Sequence, residues 1–80
     1  MNLYRELKKY KLEQQELYKE SIKEDLMDDI KQNPYLDYYE VYLSNESLID
    51  IRDWLTDQGL VCELTDFQVG GHRCLKVKIV

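Results

Sequence analysis

The spacing of apolar positions changes along the chain and separates predicted helices from predicted strands. Residues 2–32 are rich in Leu, Glu, Lys and Gln and contain neither glycine nor proline, which predicts one long helix. Pro34 disfavours helical geometry in the residue before it, so the helix is expected to end there. The following stretch, YLDYYEVYLS, alternates in Tyr, Val and Leu and predicts a strand at about residues 36–43.

A second helix is expected at about residues 46–58. Its apolar positions repeat at helical spacing, and Ser44 or Asn45 supplies a side chain suited to the N-cap. Gly59 follows where helices commonly end in a left-handed residue, so the helix is predicted to stop there.

The remaining residues predict a β-hairpin. One strand is expected at about residues 60–67 and another at about 72–80, joined by a turn that contains Gly70 and Gly71. The side chains predicted to point inward are Leu60, Cys62, Leu64, Leu75, Val77 and Ile79.

Two hairpin registers fit this turn. A four-residue loop places Glu63 opposite Lys76, whereas a two-residue turn places it opposite Lys78, and both pair opposite charges. Both registers also put Cys62 on the inner face of the sheet and Cys74 on the outer face. We therefore expect no disulfide between the two cysteines.

The element order α-β-α-β-β predicts a two-layer α/β (α+β) sandwich with a long N-terminal helix, a three-stranded sheet and a C-terminal β-hairpin. The order of the strands stays open. Eighty residues suffice for one domain, with residues 1–33 as the long helix and possible oligomerisation arm, and residues 34–80 as a β-α-β-β core. No stretch suits a membrane helix or a signal peptide, so a cytoplasmic location is expected.

The first half of the long helix carries its own row of apolar residues. A helix of about 30 residues is about 45 Å long, whereas a strand of about seven residues spans about 23 Å, so half of the helix should extend beyond the sheet. This half either curves over the protein's own core or forms an arm for oligomerisation or partner binding. The row follows heptad-like steps and consists of Leu3, Leu7, Tyr10 and Leu17.

Acidic residues form a single row along the second helix. At about 100° per residue they fall opposite the apolar residues Leu48, Ile51 and Leu55. Arg52 lies off the row and is not expected to neutralise it. Like charges at this spacing repel, so the row is either a solvated face or a docking ridge for a basic partner surface. Its members, called the acidic ridge, are Glu46, Asp50, Asp53 and Asp57.

Aromatic residues are predicted on the sheet face that the helices leave open. By alternation Tyr38, Tyr42 and Phe67 point outward, with Lys76 and Lys78 beside them. Three interpretations are open: partial burial under a helix or a dimer contact, a protein interface with aromatic anchors, and a stacking platform for nucleic acid.

Charge and residue content favour binding over chemistry. Residues 34–67 hold one base and eight acids, a net charge of −7, which disfavours nucleic acid and favours a basic protein partner. The single histidine, His72, has only Cys74 as a neighbouring ligand, too few groups for a zinc site. Neither a nucleophile–base pair nor a glycine-rich phosphate loop can be assigned. We therefore predict no catalytic residue, no metal site and no cofactor.

These features predict a small, non-enzymatic, acidic protein that regulates or inhibits a larger protein. In size, acidity and lack of catalytic residues the chain resembles the small host-takeover and anti-defence proteins of phages and mobile elements, a class that includes anti-CRISPR proteins and DNA mimics. The resemblance is one of type and covers no motif. It implies that the carboxylates imitate a phosphate strand and occupy a basic groove of a protein in the host cytoplasm.

Two alternative functions stay open. The first is a homo-oligomeric structural or adaptor protein, in the simplest case a homodimer, that assembles through the apolar row of the N-terminal helix. The second, less expected, is a nucleic-acid binder that uses the open face of the sheet together with the bases of the C-terminal strand.

Overall fold

The structure is a computed structural model that describes residues 2–79. The order α-β-α-β-β, the long N-terminal helix and the C-terminal hairpin of an α+β fold are confirmed. The expected end of the last strand at Val80 lies outside the described residues. The elements are α1 (Leu3–Gln32), β1 (Tyr39–Ser44), α2 (Leu48–Asp57), β2 (Val61–Val69) and β3 (His72–Lys78).

Helix α1 ends before Pro34, as predicted, and begins one residue later than expected, at Leu3. The side chain of Asn2 accepts a hydrogen bond from the backbone N–H of Arg5 (3.4 Å) and caps the first turn. At the other end the N–H of Asn33 donates to the carbonyl oxygen of Asp29 (2.9 Å), and Pro34 follows in a turn. No helix within residues 2–79 is long and apolar enough to cross a membrane.

Two further predicted element starts are wrong. β1 begins at Tyr39, later than expected, because the chain first makes a turn and a bend after α1. α2 begins at Leu48, and its N-cap is Ser47 rather than Ser44 or Asn45. Ser44 is still part of β1, and its carbonyl oxygen accepts the N–H of Ser47 (3.1 Å) in a turn that delays the helix.

The end of α2 follows the prediction. Gly59 adopts a φ of 94°, in the left-handed region that favours glycine. The N–H of Leu60 then donates back to the carbonyl oxygen of Leu55 (3.2 Å), which satisfies an acceptor in the last turn.

The three strands form one antiparallel sheet in the order β1-β3-β2, so the C-terminal strand is central. Gly70 and Gly71 have φ values of 56° and 78°. They make a two-residue turn that places Val69 opposite His72. Near the turn, the second of the two expected registers is therefore the correct one.

A bulge in β2 changes this register further along the hairpin. Between two successive residue pairs of the ladder, β2 has three residues, 65–67, whereas β3 has only Cys74. The bulge therefore adds two residues to β2. Beyond it Glu63 lies opposite Lys76, the pairing expected for the longer loop. Because the addition is an even number, the inner and outer faces of β2 stay as predicted.

The core lies between the inner face of the sheet and one stripe of each helix. The prediction of inward side chains is confirmed for Leu75 and Val77, which are fully buried, and is wrong for Ile79, which follows the end of β3 and is exposed. α1 enters the core only with its C-terminal half. The buried cluster consists of Ile22, Leu26, Tyr39, Leu43, Leu48, Ile51, Leu55, Leu75 and Val77.

The two cysteines lie on opposite faces of the sheet and are free thiols, as predicted. Cys62 is partly buried on the inner face, and this burial raises the pKa of its thiol. Cys74 lies on the outer face but is nevertheless buried, because it sits in the central strand between Tyr42 of β1 and the bulge of β2.

Candidate protein-binding surfaces

The acidic ridge forms one wall of an open groove between α2 and the middle of α1. Asp50, Asp53 and Asp57 project from α2, whereas Glu46 lies in the turn before it. The groove has a volume of about 740 Å³. The ridge therefore faces a second helix as well as solvent. The opposite wall consists of Lys11, Gln14, Gln15, Tyr18 and Lys19.

One base reaches the acidic ridge, contrary to the expectation from the helical wheel. The Nε and Nη2 atoms of Arg52 donate to Oδ1 of Asp53 at 3.3 and 3.2 Å. The long side chain extends sideways to its neighbour, which a wheel of Cα directions does not show. No Lys or Arg side chain in residues 2–79 forms an ion pair with Glu46, Asp50 or Asp57.

Trp54 lies at the edge of the buried stripe of α2 and forms part of the groove wall. It is partly buried against the core. The ammonium of Lys19 lies 5.8 Å from the centroid of its ring and 3.4 Å from the carboxylate of Glu16. This contact joins α1 to α2 where the groove begins.

The predicted outward aromatic residues lie close together on the uncovered face of the sheet. Tyr42 and Phe67 meet edge to face with centroids 6.4 Å apart, and the ammonium of Lys76 lies 4.5 Å from the centroid of the Tyr38 ring. Their exposed fractions are 37% for Tyr38, 43% for Tyr42 and 59% for Phe67, so the helices of this chain do not bury them. We call these three side chains the aromatic patch.

The hydroxyl of Tyr42 is oriented within the patch by a neighbour on its own strand. It donates to Oε2 of Glu40 at 2.8 Å. This hydrogen bond, together with a smaller effect of desolvation, raises the pKa of Tyr42 above its ordinary value. The hydroxyl of Tyr42 is thus directed at Glu40, while its ring stays exposed within the patch.

The bulge of β2 determines where Phe67 stands. The hydroxyl of Thr65 donates to the carbonyl oxygen of Cys74 (2.8 Å) and accepts the N–H of Phe67 (3.3 Å). The guanidinium of Arg73 donates to the carbonyl oxygen of Thr65 (2.6 Å) and to the carboxylate of Asp66 (3.1 Å). Sequence reasoning treated the two registers as alternatives and did not predict the bulge, so it missed the hydrogen bonds by which Thr65 and Arg73 hold it.

The overhanging part of α1, residues 3–18, is called the arm. The predicted apolar row lies on it and is uncovered: Leu3, Leu7, Tyr10 and Leu17 are 67%, 58%, 61% and 61% exposed. The molecule is 52 Å long and only 24 by 20 Å across, because the arm extends beyond the core. The expected overhang is confirmed, and the arm does not fold back over the core.

The part of the chain that the structure describes holds no group of three or more His, Cys, Asp and Glu side chains that could bind a metal ion. His72 is exposed at the hairpin turn, with Nδ1 at 3.2 Å from the carbonyl oxygen of Gly70. The described residues thus form two candidate binding surfaces, the groove and the aromatic patch. Neither surface contains an evident catalytic or metal-binding site.

No protein-family model, curated protein or solved structure matches this chain. Function is therefore inferred from these two surfaces and from the arm.

Proposed function

We propose that this chain is a non-enzymatic regulator or inhibitor that acts by binding a larger protein. The observation that carries the proposal is the aromatic patch, in which Tyr42 and Phe67 meet edge to face and, together with Tyr38, stay exposed on the sheet face opposite the helices. Aromatic side chains combine a large contact area with few rotatable bonds, which makes them frequent anchors of protein interfaces.

The charge of the chain supports a basic partner. The net charge is −5, and the net negative charge concentrates in residues 34–67, which hold eight acids and one base and include the acidic ridge and the aromatic patch. Complementary charge accelerates association and selects against acidic partners. The expected partner is a basic, nucleic-acid-handling or defence protein of a host cell, consistent with the resemblance in type to anti-defence proteins.

Nucleic acid is the weaker alternative because the bases of the hairpin already have partners within the chain. Arg73 binds the bulge of β2, and the ammonium of Lys78 lies 3.8 Å from the carboxylate of Glu63. Lys76 stands over the ring of Tyr38. A strand of phosphates would have to displace these contacts and would meet a net negative surface.

The test replaces the two rings that contact each other. Protein carrying Tyr42→Ala and Phe67→Ala is used as bait in the native cytoplasm, and the captured proteins are quantified against those bound to the unchanged chain. Truncating central aromatic anchors should lower the affinity for the true partner at least about 30-fold. Tyr35→Ala is the matched control, because Tyr35 is 96% exposed and lies outside the patch.

Thermal unfolding of the double variant checks that the sheet is intact, and Tyr42→Phe provides a milder change that keeps the ring. Equal capture by the double variant and the unchanged chain would contradict the role of the patch. Binding of single-stranded RNA or DNA at physiological salt would replace the proposal by the nucleic-acid alternative.

A further inference from the structure

We infer that two copies of this chain form a two-fold dimer in which the arm of each copy lies along the groove of the other, with its lysines against the acidic ridge. The inference rests on exposed apolar area, on charge and on helix register. Each of these observations is independent of the aromatic patch.

The arm exposes more apolar surface than an isolated helix in water favours. Every described residue of the arm is exposed, and large apolar side chains occur on several sides of it. An exposed helix of this length gains little from its intrinsic propensity alone, whereas a contiguous apolar surface on a small protein indicates a binding site. The exposed side chains are Leu3, Tyr4, Leu7, Tyr10, Leu12, Leu17 and Tyr18.

The arm and the ridge carry opposite charges. Residues 3–11 hold four bases and one acid, a net charge of +3, and the ridge holds four acids. Lys11 lines the groove, and Lys8 lines its continuation along the arm beside Leu7. Neither lysine forms an ion pair within residues 2–79. The segment of the chain best suited to the ridge is therefore the arm of another copy.

An antiparallel arrangement brings the basic stretch of each copy against the groove of the other. With the two-fold axis at Lys11, residues 3–11 of one copy lie beside residues 11–19 of the other. Residues 11–19 are the stretch of α1 that lines the groove, and residues 3–11 are the basic stretch. A parallel arrangement would place both Lys8 and Lys11 against the same lysines of the second copy, which is repulsive, whereas the antiparallel arrangement brings only Lys11, at the axis, near its own copy and places Lys8 beside Gln14.

The second wall of the groove makes this contact larger than a simple helix pair. The overlapping helices are about 17 residues or about 25 Å long, too short for a stable two-stranded coiled coil. α2 adds a second surface with Trp54 and the unpaired ridge acids. A stable interface needs about 800 Å² from each partner, and a helix held between two walls contributes more area than a helix held on one side.

The dimer and the proposed function are separable. The groove lies among the helices, whereas the aromatic patch lies on the outer face of the sheet, so assembly leaves the patch open. A monomeric protein could still bind its partner through the patch, and a dimer could form in a protein that binds nothing else.

The test is charge reversal with rescue, read as molar mass by sedimentation equilibrium. Lys8→Glu with Lys11→Glu should raise the dimer dissociation constant at least about tenfold, because acids then face acids. Asp50→Lys with Asp57→Lys should do the same. The combination of all four changes restores opposite charges and should return the mass to that of a dimer. Lys9→Glu is the matched control, because Lys9 lines neither the groove nor its continuation along the arm, whereas Lys8 and Lys11 do.

The direction of the helices is tested by cross-linking in a Cys62→Ser background. Lys11→Cys lies at the axis and should form a disulfide-linked dimer under mild oxidation. Tyr4→Cys should not, since the two copies of residue 4 would be about 21 Å apart. The inference would be overturned if the unchanged chain were monomeric at all accessible concentrations. Efficient cross-linking at residue 4, or a quadruple variant that stays monomeric, would overturn it as well.

Discussion

The two halves of α1 are one continuous helix with very different surroundings. Ile22 and Leu26, in residues 19–32, are buried against β1 and the core, whereas every described side chain of the arm is exposed. Neither half contains glycine or proline, and Leu, Glu, Lys and Gln occur in both, so each half has its own intrinsic tendency to form a helix. The local sequence favours a helix in both halves, but only residues 19–32 pack against another part of the protein.

This difference separates helix formation from fold stability. The packed half, residues 19–32, unfolds only when the core opens, so its stability is that of the whole protein. The arm is held by its own backbone hydrogen bonds and by capping at Asn2. Helices of this length are marginal in water, and the arm of a dilute monomer should open without the core.

The largest expected difference in unfolding free energy comes from replacing one leucine in each half of α1 with alanine. Leu26→Ala should lower the free energy of unfolding by about 3 kcal/mol, because it removes buried methyl groups and leaves a cavity. Leu12→Ala, at a position that is 53% exposed, should change it by less than about 0.5 kcal/mol. Urea unfolding of dilute protein, followed by circular dichroism, measures both.

A similar loss of unfolding free energy in both variants would contradict the difference between the packed half and the arm. It would mean that Leu12 is covered in solution, and the loss should then grow with protein concentration if a second copy provides the cover. Met27→Ala is the control for truncation of an exposed apolar residue in the packed half, since Met27 is 49% exposed.

A smaller effect is expected from glycine placed on the exposed side of each half. Lys23→Gly, in the packed half, should lower the global free energy of unfolding by about 1 kcal/mol, because glycine weakens a helix that belongs to the cooperative unit. Gln15→Gly, in the arm, should leave the global free energy of unfolding unchanged and lower the helical circular-dichroism signal of the folded state. Lys and Gln have nearly the same helix propensity, so the two changes are matched.

Hydrogen exchange shows directly which part of the helix opens. In Gln15→Gly the backbone amides of the arm should exchange faster, while those of residues 22–32 keep their protection. Loss of protection across both halves in this variant would show that the arm belongs to the cooperative unit after all.

The sequence predicted elements well where one local signal was sufficient. The end of α1 before Pro34 and the end of α2 at Gly59 both follow from the backbone preference of one residue. The start of α2 was less certain because serines and an asparagine compete to cap it, and tertiary structure keeps Ser44 in β1. Alternation also assigned the faces of β2 correctly, since its bulge adds an even number of residues.

The candidate surfaces were predicted only in part. Alternation identified the members of the aromatic patch, because the bulge of β2 adds an even number of residues and leaves Phe67 on the outer face. The groove could not be predicted, since it depends on the position of α1 beside α2, which no local pattern specifies. The pairing of Arg52 with Asp53 was missed for a different reason: a helical wheel represents directions and not the reach of a long side chain.

The smallest expected effect concerns the boundary between the two halves of α1, at Lys19. Its side chain is 26% exposed, and its ammonium stands over the ring of Trp54. Lys19→Ala removes both the stem and the charge and should cost about 0.5 kcal/mol of unfolding free energy, the lower end of the contribution of an exposed cation–π contact. Lys19→Met keeps the stem and should recover about half of this loss.

Trp54 reports on the same contact, because it is the only tryptophan of the chain. Loss of the ammonium should change its emission in Lys19→Ala and in Lys19→Met, whereas Glu16→Gln, which removes only the exposed ion pair, should leave both emission and stability nearly unchanged. If both Lys19 variants were as stable as the unchanged chain, the contact would not join α1 to α2. The packed half would then begin at Ile22, and the arm would be longer by nearly a turn.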